Sequence, residues 1–202
     1  MAGIFSTDHP VWNFLGKLTD MVLLTGLWIL CSIPLVTIGA ATAALYDVSF
    51  QMAENQEGYI VRSFFKSFRK NWKRATAVWL ITAGLGILLA SDVYVYSRME
   101  SLGVVLLTAS VIAAVIYAMM LLYLFPLIVK SDLDLKSAAA AAFVLALRNP
   151  GWTVFMLVAA AGILAAGIFV LAPLLVVGAG LTAYLHCKIL RMLLENEKRE
   201  AR

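Results

Sequence analysis

Five apolar segments alternate with polar ones along the chain, at residues 21–45, 75–96, 102–129, 151–171 and 173–193. Each is as long as the roughly 20 residues that a helix needs to cross a bilayer. The last two belong to one run: no Asp, Glu, Lys or Arg occurs in the 37 residues from Gly151 to Cys187. A straight helix of that length would reach about 55 Å, against a hydrocarbon core of about 30 Å. It is too long to cross once, and a turn at Ala172-Pro173 lets it cross twice. The pattern predicts an all-α, polytopic transmembrane bundle of five spans, forming one membrane domain over residues 1–202.

Composition agrees, with 62% hydrophobic and 14% charged residues, where a soluble domain carries about 25% charged. The placement of the 16 Lys and Arg residues then orients the bundle. The amino-terminal tail has Lys17. The first connection has Arg62, Lys66, Arg69, Lys70, Lys73 and Arg74, and the second has Arg98. The third has Lys130, Lys136 and Arg148, the fourth has none, and the C-terminal end has Lys188, Arg191, Lys198, Arg199 and Arg202. Alternate sides of a five-span chain therefore hold 14 and 2. Cytoplasmic segments favour Lys and Arg, so the N-terminus is expected outside and the C-terminus inside. A four-span alternative would export the basic tail. Ala41-Thr42-Ala43 offers a signal-peptidase pattern, but Asp8 and Asp20 offset Lys17. The apolar run also exceeds a signal peptide's, so the first span is expected to be retained.

The first connection has its own pattern. On a wheel of 100° per residue, Arg62, Lys66, Arg69, Lys70, Lys73 and Arg74 fall between about −20° and 120°. Val61, Phe64, Phe65, Phe68 and Trp72 fall between about 200° and 300°. No acidic residue occurs from Gly58 to Ser91. This predicts a cytoplasmic amphipathic helix over about 59–74, lying in the headgroup region. Its cations would meet anionic lipid headgroups or an acidic partner, and Phe64, Phe65, Phe68 and Trp72 would anchor it in the interface. The third connection repeats this weakly. Asp132 and Asp134 precede an alanine-rich stretch, 138–147, that Arg148-Asn149-Pro150-Gly151 ends. Helix, span, span thus occurs twice, as an internal repeat would.

Within the spans, Pro34 should kink the first helix by crowding the carbonyl of Leu30. Gly39 and Ala43, four apart, permit close helix approach. Thr37 and Thr42 would hydrogen-bond locally or line a polar path, as would Asp92 near the end of the second span. His186 is expected to be a hydrogen-bonded packing residue, and Cys31 and Cys187 to fill space rather than form a disulfide or metal site. There is no HExxH, phosphate loop or acidic pair within a span, and the two histidines, His9 and His186, should lie on opposite sides of the membrane. The chain is expected not to be an enzyme, to need no cofactor or metal, and to bind no nucleic acid.

Leu27-Trp28, Pro34, Thr37, Gly39-Ala40, Ala44-Leu45-Tyr46, Glu57-Gly58-Tyr59 and the run from Phe64 to Asn71 resemble the YesL-like family, domain of unknown function 624. The resemblance is distinctive over about residues 1–80. It implies a small multi-span membrane protein of Gram-positive-type bacteria, often encoded beside sugar ABC transporters and polysaccharide-degrading enzymes, and it implies no catalytic or ligand residue. The expectation is a non-enzymatic accessory component of a sugar ABC transporter assembly. The alternative is a small transporter or channel acting as a homo-oligomer. An ABC permease subunit is disfavoured, because the third connection lacks the EAA-x3-G signature.

Overall fold

The computed structural model describes residues 10–54, 59–99, 103–131, 134–169 and 172–200. His9, Glu57-Gly58 and Asp132 lie outside them. Among the described residues the chain is helical, with no strand. The helices are α1 (Pro10–Ser32), α2 (Ile38–Ala53), α3 (Ile60–Tyr96), α4 (Gly103–Lys130), α5 (Leu135–Arg148), α6 (Pro150–Phe169) and α7 (Ala172–Glu200).

The expected first span is two helices rather than one. Pro34 has no N–H to donate, and its ring disfavours helical geometry at the residue before it. The outcome is a full break, not the expected kink. α1 stops at Ser32, Pro34 is extended (φ −74°, ψ 115°), and a single 3-10 turn, Leu35–Thr37, leads into α2. The Thr37 N–H donates to Pro34 O at 2.9 Å. The Thr37 hydroxyl lies 2.6 Å from Cys31 O and 2.7 Å from Pro34 O, so it caps a carbonyl left open where α1 ends. α2 then turns back beside α1. Trp28 Nε1 donates to Thr42 Oγ1 at 3.2 Å, whereas 14 residues of straight helix would separate the two by about 21 Å.

A second departure lies in α3. The expected surface helix and the span after it are one uninterrupted helix of 37 residues. Nothing between Ile60 and Tyr96 stops it: the stretch has no proline, and Arg74-Ala75-Thr76-Ala77 carries helix propensity straight through. A continuous helix cannot lie flat in the headgroups over its first turns and cross the membrane over its last.

The α1–α2 hairpin packs along the cationic half of α3. Trp79 Nε1 donates to Leu35 O at 2.9 Å, Gly39 seats against Ala75 and Trp79, and Phe64 joins Leu45, Val48 and Met52 in one core. The apolar half of α3 pairs instead with α4, where the Tyr117 hydroxyl donates to Thr82 O. There the outward residues are apolar, among them Leu80, Ile87, Leu88, Val104, Val105 and Ile112, with Ile87 70% exposed. Apolar exposure on that scale suits lipid, not water. A second core joins Tyr123, Leu127 and Ile128 of α4 to Ala142 and Leu145 of α5, Met156 of α6, and Cys187 and Leu190 of α7.

Among the described residues, α3 and α4 are each long and apolar enough to cross a membrane. α5 and the start of α6 qualify together as a pair bent by 99° at Asn149-Pro150. At one end of the molecule α2, α4 and α7 converge. Lys130 pairs with Glu54 and lies 5.3 Å from the Phe50 ring centre, and an Arg191 guanidinium nitrogen donates to Ala53 O at 3.3 Å.

Candidate functional site

The protein-facing stripe of α3 is Phe64, Ser67, Asn71, Ala75, Val78 and Thr82, all buried. Their spacing of three and four keeps one helical face against α1, α2 and α4. The cations occupy the rest of the circumference: Arg62, Lys66, Arg69, Lys70 and Lys73 are exposed and Arg74 is half-buried. The first four turns of α3 thus present a charged ridge held rigidly by the helix beneath it.

The aromatic side divides differently from expectation. Phe64 is 0% exposed and Phe68 packs against the same core. Phe64 is therefore a core residue rather than an interfacial anchor, because the hairpin covers that face. Phe65 and Trp72 remain exposed beside the cations, with Trp72 held edge-on to Phe68 at 5.2 Å.

A second polar feature lies inside. His186 of α7 is 3% exposed. Its Nδ1 is 3.2 Å from the Tyr46 hydroxyl of α2, and its Nε2 is 3.4 Å from Met156 O of α6. A carbonyl only accepts, so Nε2 carries the proton, Nδ1 accepts, and Tyr46 donates. The neighbouring Cys187 Sγ lies 3.5 Å from Tyr46 O. Nearby, Tyr123 of α4 and Thr153 of α6 share a hydrogen bond of 2.9 Å. Four helices thus meet through polar contacts in otherwise apolar surroundings. The described residues hold no cluster of three metal-ligating side chains.

Beside this junction, α1, α2, α6 and α7 enclose a half-open cavity of about 470 Å³. Thr42 lines it, whereas Pro34, Thr37 and Gly39 serve the break and the α2–α3 contact. Asp92 is half-buried near the far end of α3 and belongs to neither feature. Tyr123 and Thr153 were not singled out from the sequence, and Tyr46 entered only through the family resemblance. The one available signal was His186, a polar ring in an uncharged run, which demands a partner somewhere in the fold.

The family model described as "Protein of unknown function, DUF624" matches residues 21–93, from the middle of α1 through α2 and nearly all of α3. The chain is also 29% identical over 173 residues to "Uncharacterized protein YesL" of Bacillus subtilis (strain 168), covering 84% of this chain and 82% of that one. Residues 21–93 are thus similar to the DUF624 family, and most of the chain is similar to YesL. The YesL-like match takes in the Pro34 break, Gly39, Tyr46 and the whole cationic ridge. His186 falls outside the family-model match. No solved structure matches the chain.

Proposed function

We propose that this protein is a non-catalytic accessory component of a bacterial plasma-membrane assembly, docking through the cationic ridge of α3 onto an acidic surface of a larger partner. The observation that carries this reading is the exposure of Arg62, Lys66, Arg69, Lys70 and Lys73 on a helix that continues into an apolar, membrane-compatible stretch. A ridge fixed to a span loses little entropy on binding, and its field steers an acidic partner. The carbohydrate-uptake context, and a sugar ABC transporter as the partner, rest on the family resemblance. Tagged protein from sugar-induced cells is expected to capture transporter subunits. Replacing Arg69, Lys70 and Lys73 with Glu should lower capture by about tenfold or more, since each 1.4 kcal/mol is tenfold. Capture should also weaken with salt. Solitary purification from induced cells, or capture indifferent to the charge reversal, would count against docking.

The same reading puts the end that gathers Glu54, Lys130 and Arg191 on the cytoplasmic face. Five crossings need residues 21–45 to pass straight through. With α1 and α2 folded back, Lys17 joins the cation-rich side, leaving 15 of the 16 Lys and Arg residues there and Arg98 opposite. That asymmetry is sharper than 14 to 2. We infer four crossings, by α3, α4, α6 and α7, with the hairpin dipping into the inner leaflet and both chain ends inside. Its exposed tip, with Leu35 76% exposed, is apolar as that placement requires. With Cys31 and Cys187 changed to Ala, single cysteines at Ser6 and Ala201 should react with impermeant reagent only from the cytoplasmic side, and one at Ser97 only from outside. Labelling of Ser6→Cys from outside would restore the five-span arrangement.

A further inference from the structure

The cavity between the hairpin and the α6–α7 pair has walls of two kinds. On the α6–α7 side they are Ala160, Ile163, Gly178, Ala179 and Ala183 with one hydroxyl, Thr182, so short side chains leave the space open. On the hairpin side, Thr25, Trp28, Thr42 and Tyr46 carry polar atoms that are already engaged within the protein. Thr25 Oγ1 donates to Met21 O at 2.8 Å and accepts from the Gly180 N–H at 2.9 Å. Trp28 donates to Thr42, and Tyr46 to His186.

No charged side chain lines this space, and its volume of about 470 Å³ falls within the range that small-molecule sites occupy. A saccharide is a poor occupant, because each hydroxyl taken from water needs a new partner and these walls spare almost none. An alkyl chain needs none. Ile29 of α1 lines the cavity and is itself exposed, next to the equally apolar and exposed Leu30. In a bilayer such a rim meets acyl chains.

We propose that this cavity is a lipid site, holding one acyl chain of a membrane phospholipid inserted between the α1–α2 hairpin and α6–α7. The chain fills space that the short side chains of α6 and α7 leave empty, and it wedges the hairpin against the rest of the bundle. Removing it would leave a void whose lining loses its contacts.

The test is lipid retention by the full chain. The protein is purified in mild detergent, delipidated by extended gel filtration, and analysed by native mass spectrometry after incubation with phosphatidylglycerol. Wild type should retain about one phospholipid per chain. Ala160→Leu and Ala179→Leu fill the cavity from two different helices, α6 and α7, and each should reduce retention several-fold while eluting as a monodisperse species with unchanged helicity. Two variants guard against one misfolding. Loss of retention in either well-folded variant supports the site. A wild-type protein that retains no phospholipid, that takes up only free fatty acid, or whose filled variants retain lipid as well as it does would overturn it. None of these outcomes bears on capture through the α3 ridge.

Discussion

Gly39→Ala is expected to destabilise the protein by about 3 kcal/mol or more, at the upper end of what overpacking does to a core. A Cβ at Gly39 would overlap the Ala75 carbonyl oxygen and the Trp79 Cβ. Neither atom is the mobile end of a side chain, so neither can swing aside. α2 would have to move off α3 as a body, along the most extensive helix pairing in the molecule. That movement strains the Trp79–Leu35 hydrogen bond and loosens the packing of Phe64 beneath the cationic ridge. Gly84→Ala is the control. An added Cβ there meets nothing within 4 Å, and Ala is favoured over Gly in a helix by about 1 kcal/mol. Thermal unfolding in detergent should show Gly39→Ala melting far below wild type, and Gly84→Ala at or slightly above it. Equal midpoints for the two variants would mean that α2 does not sit on α3 as described.

Removing the His186 ring should have the next largest effect. His186→Ala deletes the side chain that ties α7 to both α2 and α6. It leaves the Tyr46 hydroxyl without its acceptor, at about 1–3 kcal/mol for a buried group, and opens a void in a tightly packed region. A total near 3 kcal/mol is expected from these two terms. Tyr46→Phe deletes only the hydroxyl and should lose about 1–2 kcal/mol, because Nδ1 is then unsatisfied. The double variant Tyr46→Phe with His186→Ala should lose less than the sum of the two singles, since the hydroxyl and its ring acceptor are removed together and neither is left orphaned. Strict additivity in this cycle would show that the two side chains do not depend on each other, and the assigned proton positions would fall with it.

The elements themselves were largely legible in the chain. Uncharged runs marked the apolar helices, and Arg148-Asn149-Pro150 marked the boundary between α5 and α6. The cationic ridge could be read from spacing alone, because helical periodicity places charges by arithmetic. Its aromatic counterpart could not. The wheel puts Phe64, Phe65, Phe68 and Trp72 on one side, yet only a neighbouring helix decides which of them it covers. Phe64 and Phe68 went inward because the hairpin lies against them, while Phe65 and Trp72 stayed out. His186 was legible as a residue in need of a partner, but Tyr46 lies 140 positions away, and nothing in its local sequence announces the pairing.

What the sequence determined by itself was therefore the material: an all-helical chain, apolar enough for lipid, with its cations gathered between and after the apolar runs. Whether a proline bends a helix or reverses it was left to the tertiary structure. Pro34 breaks α1 in either case, since its missing donor and crowded ring act locally. The reversal needed α3 to receive Gly39 at backbone distance and Thr42 to meet Trp28, contacts made across the fold. Similarly, no residue near 74 instructs the cationic and apolar halves of α3 to separate into two helices, and the chain carried straight on. Local chemistry sets where helices can start and stop; only packing between distant segments sets the direction they take afterwards.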